Sequence, residues 1–203
     1  MDPIAVIDFE TTGVSPSDRC RATEIGIVIL ENGRIVDRYQ SLMNAGLPVP
    51  PFIQGLTGIS TAMLRNAPPV EQVMGEAADF VGELPLLAHN AAFDQKFWDF
   101  ELARIGRTRR QAFACSLLLS RRLLPEAPSH KLGNLNSWAH LPDTGKAHRA
   151  LADAEMAANL ALHLAGRLRD RYGVQDVSHP LLCRLQKLAV AKIPEMLRRH
   201  RDG

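Results

Sequence analysis

Ile4-Ala5-Val6-Ile7-Asp8-Phe9-Glu10-Thr11-Thr12-Gly13 is the stretch whose reading decides the fold. Ile4 to Ile7 form an apolar run that reads as a buried strand, and Asp8 and Glu10 stand at its end. Residues two apart on a strand share a face, so both acids emerge side by side before a Thr-Thr-Gly turn. Like charges held that close are costly unless a cation or a proton lies between them. A packed strand end carrying such a pair reads as half of a divalent-metal site.

Moving outward, residues 22–30 alternate loosely around Ile25, Ile27 and Ile29, and Asn32-Gly33 follows as a strong hairpin signal. Residues 35–43 make the returning strand. Pro48, Pro50 and Pro51 lead into short helical pieces around 56–60, and Pro68-Pro69 open a helix running to about Gly82. Residues 84–88 read as a fourth strand. Asn90 then suits the N-cap of a helix over 91–105. Residues 112–115 suggest a fifth strand, with short helices near 116–124 and 131–139 and a long one over 149–172. Three strands followed by alternating helix and strand imply an α/β domain with a mixed sheet. The division expected is a domain over 1–174 and a basic helical C-terminal tail over 175–203, rich in Arg184, Lys187, Lys192, Arg198, Arg199 and Arg201. That tail reads first as a solvated amphipathic helix, with a partner role as the alternative.

The bulk composition is that of a soluble globular protein: 203 residues, 46% hydrophobic and 23% charged. A net charge of +2 permits binding to a polyanion without demanding it. Cys20, Cys115 and Cys183 are far apart and form no C-x-x-C pair, so neither a disulfide framework nor a zinc knuckle is suggested. No signal peptide opens the chain and no apolar run is long enough to span a bilayer, so a cytoplasmic protein without a membrane partner is expected.

Two further acids complete the half-site. On a helix over 149–172, Asp153 lines up with Ala157, Leu160 and Leu164, opposite the polar arc of Glu155, Asn159, His163 and Asp170. A carboxylate on a core-facing side is expensive without a partner. Asp94 lines up in the same way with Trp98 and Ile105. Each acid lies near the start of its helix and can reach the end of a neighbouring strand. His148 stands just before the last helix, on a loop expected to be mobile at Gly145, where it can take up a proton near neutral pH. Taken singly, Asp94 and Asp153 also read as complements to a helix dipole, and His148 as a solvated loop histidine. His89, at a strand end, reads more readily as a hydrogen-bonded packing residue than as a metal ligand.

The motifs Asp8-Phe-Glu-Thr-Thr-Gly13, His89-Asn-Ala-Ala-Phe-Asp94 and His148-Arg-Ala-Leu-Ala-Asp153 resemble the three motifs of the DEDDh 3′–5′ exonucleases. The form of the first two is most similar to the epsilon-type, proofreading group. Leu56-Thr-Gly-Ile-Ser60 and Lys131-Leu-Gly-Asn-Leu135 agree with it as well. Two departures are visible: Thr57 stands where many relatives have His, and no clamp-binding segment follows residue 172. The resemblance implies a ribonuclease H-like fold with a five-stranded mixed sheet flanked by helices. It implies a metal-dependent 3′–5′ exonuclease acting on single-stranded DNA, in which two divalent cations, Mg²⁺ or Mn²⁺, are held by Asp8, Glu10, Asp94 and Asp153. His148 would be the base. Thr11 and Thr12, with Glu10, would meet the terminal 3′-hydroxyl, and Leu56 and Phe93 would pack on the terminal bases, although core packing reads equally well for both. Arg107, Arg109 and Arg110 would steer the phosphate backbone, against a solvated loop as the default. The alternatives are an RNA-trimming enzyme of the same fold and a non-catalytic subunit that binds a DNA polymerase or nucleic acid.

Overall fold

Asn32 and Gly33 both adopt positive φ, 50° and 79°, as a two-residue type I′ hairpin turn requires. The structure is a computed structural model that describes residues 2–145 and 148–202. The turn joins strands β2 (Ala22–Glu31) and β3 (Arg34–Leu42), and β2 pairs antiparallel with both β3 and the first strand, β1 (Ile4–Thr11). On the other side of β1 run two short parallel strands, β4 (Leu86–Ala88) and β5 (Phe113–Cys115). The order β3-β2-β1-β4-β5 is the mixed five-stranded sheet expected. A parallel neighbour needs a crossover. The first contains α1 (Pro51–Thr57), α2 (Thr61–Arg65) and α3 (Val70–Val81), and the second is α4 (Ala92–Arg104). After β5 come α5 (Ser116–Leu123), α6 (Leu132–Trp138), α7 (Ala150–Tyr172), α8 (His179–Leu185) and α9 (Ile193–Asp202).

Strand alternation divides the apolar residues between two cores. Ile4, Val6, Val28 and Leu30 face the layer built on α7, with Ala154, Ala157, Ala158 and Ala161 beneath them. Ala5, Ile7, Phe9, Ile25 and Ile27 face α3 and α4, with Val73, Met74, Phe97 and Trp98. The alanines of α7 let that helix lie close on β1 and β2. Gly26 marks the tightest approach: a Cβ there would lie 2.3 Å from the Ala150 carbonyl carbon and the Leu151 nitrogen. This is a close backbone contact that only glycine admits within a strand.

Three details differ from the sequence reading. The helical pieces expected around 56–60 lie on either side of 58–60 as α1 and α2, because Gly58 takes a left-handed φ of 75° and ends α1. Asn90 is not the cap of α4; it takes the left-handed conformation at φ 65°, and its carbonyl accepts from the Phe93 N–H at 2.8 Å. Ala91 holds the cap position without a side-chain bond, because the sharp turn out of β4 uses the asparagine for its tolerance of positive φ. The last segment is also more than a charged surface: Val177, Leu181, Leu182, Leu185, Ile193 and Leu197 are buried in the α7-side core. Among the described residues, no helix is long and apolar enough to cross a membrane.

Candidate active site at the end of the first strand

Asp8 and Glu10 continue the side of β1 begun by Ile4 and Val6, and so project towards α7. Opposite them across the β1–β2 pair stand Gly26 and Glu24. The first turn of α7 carries Asp153 over this end of the sheet, and Asp153 Oδ2 accepts from the backbone N–H of His148 at 2.9 Å. His148 itself sits at φ 61°, a left-handed conformation that histidine tolerates better than most residues. Ligand atoms of Glu10, His148 and Asp153 all lie within 4.8 Å of one another. The loop expected before His148 includes residues 146 and 147, which lie outside the described residues.

Asp94 comes from the opposite layer. It lies in the first turn of α4, 1% exposed, and its Oδ1 accepts from the Phe9 N–H at 3.1 Å. That bond brings the carboxylate round the end of β1 to Asp8, whose ionisation it opposes.

The electrostatics of the group are those of a site short of positive charge. Burial first, then Asp94, Asp153, Glu10 and Glu24, hold Asp8 well above the usual carboxylate range. Burial also raises Asp94, against the Phe9 N–H that favours its charge. Glu10 is pushed up to about 8 by burial, Asp153 and Glu24, with Arg149 alone opposing them. Burial raises Asp153, partly offset by the His148 N–H and side chain. Four acids that oppose one another's ionisation, two of them with His148 in ligand reach of each other, fit hard divalent cations.

The substrate residues expected from the sequence fall into distinct surroundings. Thr11 is buried, and its hydroxyl donates to the Gly13 carbonyl at 2.5 Å. The Thr12 N–H donates to the Arg21 carbonyl at 3.0 Å, so that amide is already engaged. Leu56 is 40% exposed on α1, beside Phe52 at 77%. Phe93 is half-buried against Phe97, with ring centroids 5.1 Å apart. Thr57 is buried, accepting from the Ile59 N–H at 3.0 Å while donating to the Ile53 carbonyl. Two of the three loop arginines have acidic partners: Arg107 pairs with Asp79 and Arg109 with Asp99. His89 has the packing role: its ring nitrogens bond Ser116 Oγ and the His130 carbonyl, and burial drives it down to about 4. The neutral ring therefore donates from Nε2 to that carbonyl and accepts from Ser116 at Nδ1.

Sequence reasoning missed two buried glutamates, of which Glu24 acts on Asp8, Glu10 and Asp153. Glu24, 0% exposed on β2, binds the Arg149 guanidinium and the Ala150 N–H. Glu101, 1% exposed on α4, does the same for Arg21 and the Ala22 N–H. The available signal was a charged residue inside an apolar strand, Thr23-Glu24-Ile25-Gly26, two positions before a strand glycine.

Comparison with known proteins gives the same picture. A family model described as "Exonuclease" matches residues 5–161. The chain is 34% identical over 188 residues to the 3′-5′ exonuclease DinG of Bacillus subtilis, covering 91% of this chain and 19% of that protein. It is 33% identical over 173 residues to a PolC-type DNA polymerase III of Caldanaerobacter subterraneus, covering 85% of this chain and 12% of the relative. With the DNA polymerase III subunit epsilon of Aquifex aeolicus the identity is 31% over 172 residues, 84% of either chain. The chain thus spans a small part of the DinG and PolC-type relatives and most of the epsilon subunit. Among solved structures, exonuclease X in complex with 5′ overhanging duplex DNA shares the fold at a TM-score of 0.72 and 24% identity, over 90% of this chain and 99% of that one. The three motifs, the sheet order and these matches together establish that the chain belongs to the DEDDh-type exonuclease family.

Proposed function

We propose that this protein is a metal-dependent 3′–5′ exonuclease that removes nucleoside monophosphates from the 3′ end of single-stranded DNA. The observation that carries the reading is the convergence of Asp8, Glu10, Asp94 and Asp153, all raised by burial, with His148 beside two of them. The four carboxylates would hold two divalent cations, Mg²⁺ or Mn²⁺. Bound there, such ions supply charge neutralisation for the attacking and leaving oxygens and acidify a water molecule. His148, exposed at the rim, takes the proton of the attacking water. Glu10 and the Thr11 backbone bind the terminal 3′-hydroxyl, and Leu56 and Phe93 pack on the last bases, a contact that holds single strands without reading sequence. The family membership, the named activity of the DinG relative and the epsilon relative support this reading, and the latter extends it to association with a DNA polymerase. Cysteines 20, 115 and 183 are all unbridged, which supports a reducing, cytoplasmic setting.

The test compares wild type with Asp8→Ala on 5′-labelled DNA and RNA oligomers, with Mg²⁺, with Mn²⁺ and with chelator. A stepwise ladder from the 3′ end of DNA that needs metal and disappears in the variant is expected. Equal degradation by both proteins, or none on any substrate, overturns the reading. A faster ladder on RNA reassigns the substrate.

A further inference from the structure

Glu24 lies on the same side of the sheet as Asp8 and Glu10 and is the register partner of Glu10, yet its oxygens are already taken. Arg149 Nε donates to both of them at 3.2 Å, and the terminal guanidinium nitrogen donates to Oε1 at 2.7 Å. Gln40 Nε2, from β3, donates to Oε1 at 2.7 Å. The Ala150 N–H, the first of α7, donates to Oε2 at 3.0 Å. A carboxylate holding both an arginine fork and a helix-terminal N–H meets the strongest available geometry for fixing that helix start. Two residues on, Gly26 lets the Ala150–Leu151 backbone rest directly on β2.

The residue these contacts hold in place is His148, immediately before Arg149. Its left-handed backbone, less costly for histidine than for most residues but still uncommon, is held there by its surroundings. One restraint is the Asp153 carboxylate on its N–H; the other is Arg149, clamped by Glu24. On the far side of the loop, the Thr144 hydroxyl donates to the Ala152 carbonyl at 2.9 Å, but that contact does not touch the His148–Arg149 step.

We propose that Glu24 is a positioning residue: through Arg149 and the Ala150 N–H it sets His148 over Glu10 and Asp153, without itself binding metal or substrate. The proposal rests on the exonuclease reading for its rate measurements, while its structural content is independent of that reading. Glu24→Gln keeps the volume but loses the charge and turns an N–H towards the guanidinium or the amide. The test measures amide hydrogen exchange at residues 148 and 150, Mn²⁺ affinity, and single-turnover rate with KM, in wild type, Glu24→Gln, Arg149→Lys, His148→Ala and the Glu24→Gln/His148→Ala double variant.

In Glu24→Gln, exchange at both amides accelerates by about tenfold or more, since the local structure opens more often. Its rate falls by about 10- to 100-fold, the cost of a misplaced catalytic group, with KM held within about twofold. Mn²⁺ affinity shifts by much less than the rate, by the amount that the lost Glu24 charge beside Asp8 and Glu10 sets. Once His148 is gone there is nothing left to position, so adding Glu24→Gln to His148→Ala costs less than about twofold more. Arg149→Lys, which keeps the charge without the fork, falls between wild type and Glu24→Gln. Unchanged exchange and rate in Glu24→Gln overturn the proposal. So does a loss that multiplies in full on the His148→Ala background, or a Mn²⁺ affinity that drops in step with the rate. A wild type without nuclease activity strikes down the functional reading alone, and the exchange comparison then decides the clamp by itself.

Discussion

Glu10 has an ordinary value of 4.5 and is pushed up to about 8 in the folded protein, because burial and two neighbouring acids outweigh the single arginine. Its folded-state pKa lies above the unfolded one, so the linked stability is fully present below about pH 4.5 and is lost as pH rises through about 8. Asp8, Asp94 and Asp153 shift in the same direction. With chelator present, we expect the thermal midpoint to fall steadily from about pH 5 to about pH 8, and Mn²⁺ to restore it most at the alkaline end. Glu10→Gln removes one of the repelling charges and should melt higher than wild type in chelator at pH 8. Superimposable melting curves across that range count against the charge-strained site. The four acids were legible as a group because strand and helix periodicity fix the side each one faces, whereas His148 was singled out by its place just before α7 and by the family motif. Glu24 stood out only as a charge inside an apolar strand; its partner Arg149 lies 125 residues away, and only the strand register and the docking of α7 bring them together.

At the level of elements, α7 depends on where its first turn lands. Gly26 and Glu24 are adjacent on one side of β2, one admitting the helix backbone and the other binding its first N–H. Gly26→Ala places a methyl group against backbone that cannot turn aside, unlike a side chain. We expect a loss of about 3 kcal/mol in urea unfolding, at the upper end for overpacking. A larger fall in activity than in stability should accompany it, because Asp153 and His148 ride on the displaced turn. A stability and rate equal to wild type contradict this account. Helices and strands themselves were well anticipated, within one or two residues at most ends. The exception at Asn90 has a physical origin: asparagine serves both as an N-cap and as a left-handed turn residue, and local sequence does not choose between them.

For the molecule as a whole, the segment after residue 174 has two sides. Its basic side was plain from the sequence, whereas the partners of its apolar side are α5, α7 and β5, remote in the chain. Leu181, Leu182, Leu185, Ile193 and Leu197 are each 2% exposed or less. Losing even one buried leucine costs about 2–5 kcal/mol, against a total stability of about 5–15 kcal/mol for a typical domain. A chain ended at Gly173 is therefore expected to lose cooperative unfolding, followed by near-UV circular dichroism and urea titration. A truncated chain that unfolds cooperatively at the wild-type midpoint would show the segment to be dispensable to the fold.

Asp8, Glu10 and Asp153 belong to the α7 side of the sheet, and Asp94 belongs to the α4 side, tied to β1 by the Phe9 N–H. Because Asp153 rides on α7 and Asp94 on α4, a sliding of either helix layer over the sheet changes the separation of these two carboxylates. The four acids act as a vernier between the layers, so substitutions deep in either core should register as altered cation affinity while the protein is still fully folded.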